Sequence, residues 1–275
     1  MRNTILILFV FASSGLSAHS DSTKCKRVSQ VNKSRFFFHW GYNRGWYTKS
    51  DIHFKGNNYD FTLHNAVAKD RPTPFQWGDY LAIQNLTIPQ TNLKMGYFIS
   101  ENLAVSFGVD HMKYVMQTYR YSRMSGTINN GGLHDGTFDN YNKFLDGGFV
   151  LLEHTDGLNY INLEVDRYTR LLNWRTLNTP FKLENNSGFG IGFLLPKTNA
   201  TLFRSRHRDD FNIAGYGVNA KTGIKLSIGK YFYLQSEFKG GFINMPNIRI
   251  SSDKSEGAKQ NFLFSQFNWL LGVNI

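Results

Sequence analysis

The sequence predicts an all-β protein, an antiparallel up-and-down β-barrel that crosses a membrane with about twelve strands. Three observations support this fold: apolar and polar side chains alternate over many segments, aromatic residues are abundant, and the chain begins with a secretory signal. The 275 residues include 24 Phe, 14 Tyr and 5 Trp but only 6 Pro. This composition suits a large sheet with aromatic side chains at both membrane surfaces better than a soluble enzyme.

The first twenty residues have the pattern of a secretory signal peptide. Arg2 precedes an apolar run, and small residues then lead to Ala18 and Ser20. The apolar run is shorter than the roughly 20 residues that a membrane-spanning helix needs. We therefore expect cleavage after Ser20, or after Ala18 as an alternative. The predicted parts of the chain are a signal peptide over residues 1–20, a short segment over residues 21–34 and one barrel domain over residues 35–275.

Period-two alternation is the main evidence for strands that cross a membrane. It is clearest on both sides of Ser100-Glu101-Asn102, which predicts a hairpin. About ten residues suffice to cross a membrane in a tilted barrel. A soluble β-sandwich is the alternative, but it rarely needs strands as long as residues 214–228. The other segments with clear alternation are residues 36–43, 161–166, 189–193, 232–242 and 263–275.

Five short turns, placed on one side of the membrane, give six hairpins and about twelve strands, an even number as bacterial barrels require. Ten strands is the alternative, because the strands over residues 148–154 and after Pro196 have the weakest alternation. The five turns lie near Gly56, Glu101, Asp156, Pro196 and Gly229. Longer polar connections are expected on the opposite side, over residues 70–90, 119–147, 169–185, 203–211 and 245–260.

Charged and histidine side chains on the second face of these strands predict a polar network inside the barrel. A charge that faces lipid near the middle of a membrane costs roughly 2–4 kcal/mol, so these residues are expected to face the interior and pair there. A narrow interior filled by side chains leaves no wide pore. The predicted network consists of His39, His53, Lys55, Asp60, His64, Glu164, Asp166, Lys221, Lys225, Glu237 and Lys239.

Two short segments are candidates for a catalytic site. Asp110 and His111 end one predicted strand, and Glu153 and His154 belong to another. A histidine beside a carboxylate is the arrangement of a general base for ester hydrolysis, and carboxylates also bind calcium. In the predicted topology, however, the two segments lie at opposite ends, and the chain has no Gly-x-Ser-x-Gly or paired-histidine metal motif. The sequence therefore assigns no catalytic residue, metal or cofactor.

The formal net charge of +11 is the other unusual feature. In a soluble protein it would suggest nucleic acid, but an exported basic protein more often meets anionic lipid headgroups or the phosphates of lipopolysaccharide. A solvated loop with no partner is the alternative. The basic residues predicted to form one surface loop are Arg204, Arg206, His207 and Arg208.

The export signal, the long alternating strands and the polar interior together resemble bacterial outer-membrane up-and-down β-barrel proteins as a class, over nearly the whole mature chain. Such proteins usually end on an aromatic residue that the insertion machinery reads, whereas this chain ends on Ile275 after Trp269, Leu271 and Val273. The resemblance implies a Gram-negative outer membrane as location and the periplasm for residues 21–34. Outer-membrane lipid, lipopolysaccharide and the barrel-assembly machinery are the implied partners, with no nucleic acid.

This resemblance leaves several functions open. The first expectation is a non-enzymatic barrel with an envelope structural, surface-interaction or small-solute role, a side-chain-filled interior and long extracellular loops. The alternative is an outer-membrane hydrolase that acts on lipid A or phospholipid. A porin-like solute channel is a third hypothesis, and the sequence does not determine the oligomeric state.

Overall fold

A computed structural model describes residues 35–74, 90–208 and 210–275. The predicted signal peptide over residues 1–20, the segment 21–34 and most of the connection 70–90 lie outside the described residues. All paired strands are antiparallel. No helix in the described part of the chain is long and apolar enough to span a membrane.

The described residues form fifteen strands. In chain order they are β1 (Phe36–Tyr47), β2 (Ser50–Gly56), β3 (Tyr59–Ala66), β4 (Ala68–Lys69), β5 (Thr91–Phe98), β6 (Leu103–Met116), β7 (Arg120–Ile128), β8 (Gly136–Leu145), β9 (Val150–Thr176), β10 (Thr179–Pro196), β11 (Asn199–Leu202), β12 (Ser205–Arg208), β13 (Gly215–Ile228), β14 (Phe232–Arg249) and β15 (Gly257–Asn274).

Eight of these strands pair in a ring, in the order β1, β5, β6, β9, β10, β13, β14 and β15, and β15 pairs again with β1. A line of paired residues that starts at Phe38 on β1 passes through all eight strands and meets the first strand again at Thr48, ten residues further along. Such a stagger requires strands tilted by roughly 35–45°, and eight strands leave an interior just wide enough for side chains.

The two ends of the ring differ. Three short turns, at residues 99–102, 177–178 and 229–231, lie at the end where β1 begins and β15 finishes, which we call the turn end. The four longer connections lie at the opposite end, the loop end. Seven short strands belong to these connections. Three of them extend the ring wall: β2 pairs with β15 beyond β1, β4 with β6 beyond β5, and β11 with β9 beyond β10.

The expected count of twelve strands in the ring is wrong, as is ten, because the ring has eight. The turns near Glu101 and Gly229 lie at the turn end, as expected, but Gly56 closes the β2–β3 hairpin at the loop end, and Pro196 also lies there. Asp156 lies within β9. β2 and β3 alternate like membrane-crossing strands because one of their faces packs on a core. Their sequences therefore predict, wrongly, that they belong to the ring.

Residues 169–185 form a hairpin rather than a long connection. β9 and β10 pair down to Thr176 and Thr179, beyond the other two turns of the turn end. Leu177 and Asn178 close this hairpin with φ angles of 47° and 68°, as in a two-residue turn with two left-handed positions. Glycine normally marks such a turn, so a leucine there hides the hairpin from sequence reasoning.

Side chains on the ring strands point inward and outward in alternation. On β1, for example, Phe37 and His39 are buried inside while Phe38 is exposed outside. Inward glycines on β10 make room for larger neighbours: a Cβ added to Gly190 would lie 2.6 Å from the Cγ of Glu164. The small residues of β10 therefore allow charged side chains of β9 to fill the interior.

Candidate functional site

The centre of the ring holds seven charged side chains, which we call the ionic cluster. They come from five strands, β5, β6, β9, β13 and β14, and each residue is at most 5% exposed. Three are cations and four are carboxylates. The cluster consists of Lys94, Asp110, Glu164, Asp166, Lys221, Glu237 and Lys239.

Glu164 is the common acceptor of the cluster. Its Oε2 accepts from the Nζ of Lys221 at 2.7 Å and also from Lys94, while its Oε1 lies 2.8 Å from the Nζ of Lys239. One carboxylate therefore contacts three ammonium groups. A buried charge costs several kcal/mol unless it is paired and hydrogen-bonded, and Glu164 is the carboxylate that all three lysines share.

Lys221 and Lys239 connect Glu164 to the other carboxylates. The Nζ of Lys221 lies 3.0 Å from Asp166 and 3.0 Å from Glu237. The Nζ of Lys239 lies 2.5 Å from Asp110. The cluster is thus one connected network across the ring, and a change at one lysine alters the surroundings of several acids.

Neutral amides complete the coordination of the carboxylates. Glu237 accepts hydrogen bonds from Asn186 at 2.9 Å and from Gln235 at 2.6 Å. Asp110 accepts from Asn162 at 3.0 Å and from Asn92 at 2.5 Å. Amides can satisfy a carboxylate without adding charge, which suits an interior that already holds three cations for four acids.

A fourth buried cation, Lys225, lies between the ionic cluster and the turn end. The ammonium of Lys225 lies 3.9 Å from the ring centroid of Tyr233, and Phe37, Phe98 and Tyr168 surround it at 5.0–5.7 Å. It also donates to the Oδ1 of an asparagine of β15 at 3.3 Å. Aromatic faces attract a desolvated cation, so this lysine is held by rings rather than by a carboxylate.

The loop-end interior is apolar. It consists of side chains from the loop-end parts of the ring strands and from the short strands β2, β3, β4, β7 and β11. Tyr114 and Phe262 stack at 5.1 Å within it, and Phe54 and Phe61 stack at 5.2 Å. We call this region the loop-end core; its largest buried members include Phe54, Phe61, Tyr114, Phe149 and Tyr160.

The outward face of the ring is apolar and exposed. Each of the eight strands contributes at least one exposed large hydrophobic side chain, represented by Phe38, Met95, Phe107, Leu163, Ile191, Val218, Phe238 and Leu271. Asn185, Ser187 and Thr222 interrupt this surface, and hydrogen bonds of 3.0–3.2 Å join their side chains. Monomeric soluble proteins rarely expose apolar surface of this extent.

Seven residues of the predicted polar network lie buried inside the ring. Glu164, Asp166, Lys221, Glu237 and Lys239 belong to the ionic cluster, and Lys225 lies in its aromatic surroundings. His39 is also buried, and its Nδ1 lies 3.0 Å from the hydroxyl oxygen of Tyr233. The sequence reasoning left out Lys94 and placed Asp110 elsewhere. Both occupy inward-facing positions in the alternation of their strands, and this alternation could have placed them in the predicted polar network.

The other four residues of the predicted network are wrongly placed. His53, Lys55, Asp60 and His64 lie on β2 and β3, outside the ring of eight, and on the face directed away from the loop-end core. Asp60 accepts from the His53 imidazole at 2.7 Å and lies 3.5 Å from Lys55, with half of its side chain exposed. These residues form surface pairs because water, not the ring interior, covers that face.

The two candidate catalytic segments do not lie at opposite ends, contrary to the predicted topology: Asp110 is at the centre of the ring, and Glu153 and His154 are at the loop end. β6 and β9 are neighbours, and Tyr114 and Val115 pair with His154 and Glu153. Within each segment, however, the histidine and the acid have different partners. The Asp110 carboxylate binds Lys239, and the Glu153 carboxylate lies 2.8 Å from Arg71.

The Nδ1 atoms of the two histidines contact neutral oxygen atoms. His111 Nδ1 lies 2.8 Å from the amide oxygen of Asn159, and His154 Nδ1 lies 3.0 Å from the hydroxyl of Thr198. His154 is buried in the loop-end core, and burial lowers its pKa to about 3. A neutral imidazole in an apolar region is a packing group here, so the arrangement gives no support to a general base at this position.

The predicted basic loop forms the β11–β12 hairpin. Phe203 and Arg204 make its turn, and Arg204 and Arg206 are exposed while His207 is half-buried. The side chain of Arg208 lies outside the described residues. At least two guanidinium groups of this hairpin therefore face solvent at the loop end.

No protein-family model matches the chain, and a search of curated proteins gives no match. Among solved structures it is similar to outer membrane protein AlkL in lipid bilayers, with a TM-score of 0.38 and 8% identity over 94% of this chain and 98% of that one. It is also similar to Neisserial surface protein A, with a TM-score of 0.32 and 9% identity over 87% and 97%.

A third similar structure is the outer membrane protease OmpT from Escherichia coli, with a TM-score of 0.28 and 9% identity over 88% of this chain and 97% of that one. AlkL and OmpT are both described as outer membrane proteins.

Proposed function

We propose that this chain is an outer-membrane β-barrel protein whose ring of eight strands spans the bilayer. The observation that carries the proposal is the exposed apolar surface on the outward face of all eight strands. Aromatic side chains lie toward both ends of this surface, with Trp46 and Tyr216 near the loop end and Phe36 and Phe232 near the turn end. Membrane barrels have such aromatic girdles at their two interfaces.

The turn end faces the periplasm and the loop end faces the cell exterior in this proposal, because bacterial barrels have short periplasmic turns and longer extracellular connections. A ring of paired strands also leaves no unpaired backbone edge in hydrocarbon, where each unpaired group costs several kcal/mol. Pairing of β1 with both β5 and β15 supports this part of the proposal.

The barrel is non-conducting and acts through its surface, as an envelope structural or surface-interaction protein. The ionic cluster, the ring of aromatic groups around Lys225 and the loop-end core fill successive levels of the interior, which supports a plugged barrel. The exposed arginines of the β11–β12 hairpin suit the phosphates of lipopolysaccharide. No observation on the described residues favours hydrolysis of lipid, so no enzymatic role is proposed.

Membrane insertion is tested by gel mobility of the full chain from a membrane fraction, with and without boiling. A folded barrel is expected to migrate apart from its boiled form and to stay with the membrane in alkaline carbonate. A single band together with release into the soluble fraction would refute the proposal.

The plugged interior is tested by conductance of the same protein in planar bilayers. We expect no steps above the baseline, since side chains fill every level of the interior. Stable single-channel steps from folded, heat-modifiable protein would refute the plug and favour a solute channel.

A further inference from the structure

The β9–β10 hairpin projects past the rest of the turn end. β9 pairs with β6 only as far as Arg167, where the β5–β6 turn begins, and the Tyr168 amide then donates to Asn102 at 2.8 Å. From Thr169 to Thr176 the described residues place only β10 beside β9. β10 stays paired with β13 as far as Phe181, so the free edge of the hairpin is that of β9, next to the β5–β6 turn.

One face of this hairpin continues the outward apolar surface of the ring. A register shift between Leu183 and Glu184 leaves Leu171 without an opposite residue, so Leu172 pairs with Leu183 and Trp174 with Phe181. A one-residue shift moves every following side chain to the other face. Leu172 and Trp174 therefore lie on the outer side, where they are 59% and 43% exposed.

The opposite side of the hairpin is basic. Arg170, Arg175 and Lys182 lie on it by their register with β10, and Lys182 is neutralised by Glu184 at 2.5 Å. Neither Arg167 nor Arg170 has an ion-pair partner among the described residues, and both side chains are exposed. The hairpin thus combines an apolar face with unpaired guanidinium groups, as membrane-surface segments do.

The two arginines border a depression of about 460 Å³ between the β5–β6 turn and the free edge of β9. Ser100, Asn102 and Thr169 line it beside the two arginines, together with Glu101 and the paired side chains of Lys182 and Glu184. The depression begins at Ser100, directly after Ile99, an apolar residue that follows β5 and is 55% exposed. In the proposed membrane placement this is the level of lipid headgroups on the periplasmic side.

We propose that this depression binds the phosphate of an anionic phospholipid from the periplasmic leaflet, while the apolar face of the hairpin lies against its acyl chains. The inference rests on the proposed membrane placement. Guanidinium groups pair with phosphate oxygens in a bidentate manner, and hydroxyl and amide groups of the β5–β6 turn supply further donors. Continuity of the hairpin with the lipid-facing surface selects a lipid over a soluble anion.

Native mass spectrometry of the full chain in mixed micelles tests the proposal, with equimolar phosphatidylglycerol and phosphatidylcholine as probes. The wild-type protein is expected to retain phosphatidylglycerol preferentially. The double variant Arg167→Gln, Arg170→Gln is expected to lower that retention about tenfold or more, since each basic residue near a membrane surface contributes substantially to anionic lipid binding. Equal retention by the variant and the wild type would overturn the proposal.

The matched control is Arg120→Gln with Arg123→Gln, which removes the same charge from exposed positions on β7 at the loop end. We expect it to retain phosphatidylglycerol as the wild type does; an equal loss in both variants would mean a general charge effect and would overturn the site. A separate arm replaces the lipid by glycerol 3-phosphate at the same concentration. No retained adduct is expected, and retention equal to that of the lipid would overturn the assignment to a membrane lipid.

Each variant is also run on a gel with and without boiling. Retained heat modifiability together with lost lipid preference supports the site. If the wild-type protein is heat-modifiable but does not prefer anionic lipid, this inference is refuted and the membrane placement stands. If the wild-type protein shows the same gel mobility with and without boiling, the membrane placement itself is refuted.

Discussion

The middle of the ring and its loop end exclude water by opposite means. In the middle, seven charged side chains pair across the interior, with Glu164 in contact with three lysines. At the loop end, aromatic and aliphatic side chains such as Phe61 and Leu63 pack on one another. Ion pairing is directional and fails when one partner is lost, whereas apolar packing tolerates partial relaxation. The same change in side-chain volume should therefore have different consequences in the two regions.

The comparison predicts that removal of one cluster lysine is the most damaging single change. Lys221→Met leaves Asp166 and Glu237 buried with fewer partners, so the free energy of unfolding is expected to fall by about 3–5 kcal/mol. Urea unfolding of the refolded protein in lipid vesicles measures this. A loss below about 1 kcal/mol would show that water reaches the cluster and that the ionic interpretation is wrong.

Leu63→Ala is the corresponding change in the loop-end core. Leu63 is fully buried, and truncation of a buried leucine costs about 2–5 kcal/mol. We expect a value in the lower half of that range, because a core that borders the exposed end of the molecule can partly collapse. Hydrogen exchange should quicken in β2, β3 and β7 and stay slow in β13 and β14. Uniform quickening across all strands would contradict the separation of the two regions.

A pH series distinguishes the regions further, because His154 lies in the loop-end core. Its pKa of about 3 in the folded protein lies below the value of about 6.5 in an unfolded chain, so between these pH values only the unfolded chain takes up the proton. The stability that depends on neutral His154 is complete above pH 6.5 and is lost as pH falls toward 3. From pH 7 to pH 5 the wild type should lose about 1–2 kcal/mol more than His154→Gln.

The pH series is measured by tryptophan fluorescence during urea unfolding of the wild type and of His154→Gln. If His154→Gln and the wild type had parallel profiles, His154 would be accessible to protons in the folded protein, and the loop-end core would not be dry.

Sequence alternation predicted the faces of the ring strands but not which strands form the ring. The alternation places apolar side chains such as Phe107 and Leu163 on the outward face of their strands. Glu164 and Lys221 occupy the alternate positions and therefore point inward. A sheet with one face on a dry core alternates in the same way, which is why β2 and β3 were counted as ring strands. Alternation carries no information about what covers the apolar face.

The contacts of the ionic cluster depend on information that one sequence does not contain. Lys239 meets Asp110, 129 residues away, because the stagger of the ring brings β14 and β6 to the same level of the interior. That stagger is the sum of eight strand registers, and an error in any one of them changes every partner across the ring. For this reason the sequence indicates Asp110 as a catalytic candidate and not as a partner of a lysine.

The smallest expected effect tests the corrected position of the residues on β2 and β3. Asp60 lies on the solvent face with about half of its side chain exposed, next to His53 and Lys55. Exposed pairs contribute about 0–1 kcal/mol, so Asp60→Asn should change the free energy of unfolding by less than about 1 kcal/mol. If Asp60 instead lay inside the ring, as the sequence suggested, the same substitution would leave a buried lysine unpaired at a cost of several kcal/mol. Comparison of the free energies of unfolding of Asp60→Asn and Lys221→Met, both measured in urea, therefore distinguishes a surface ion pair from an interior one.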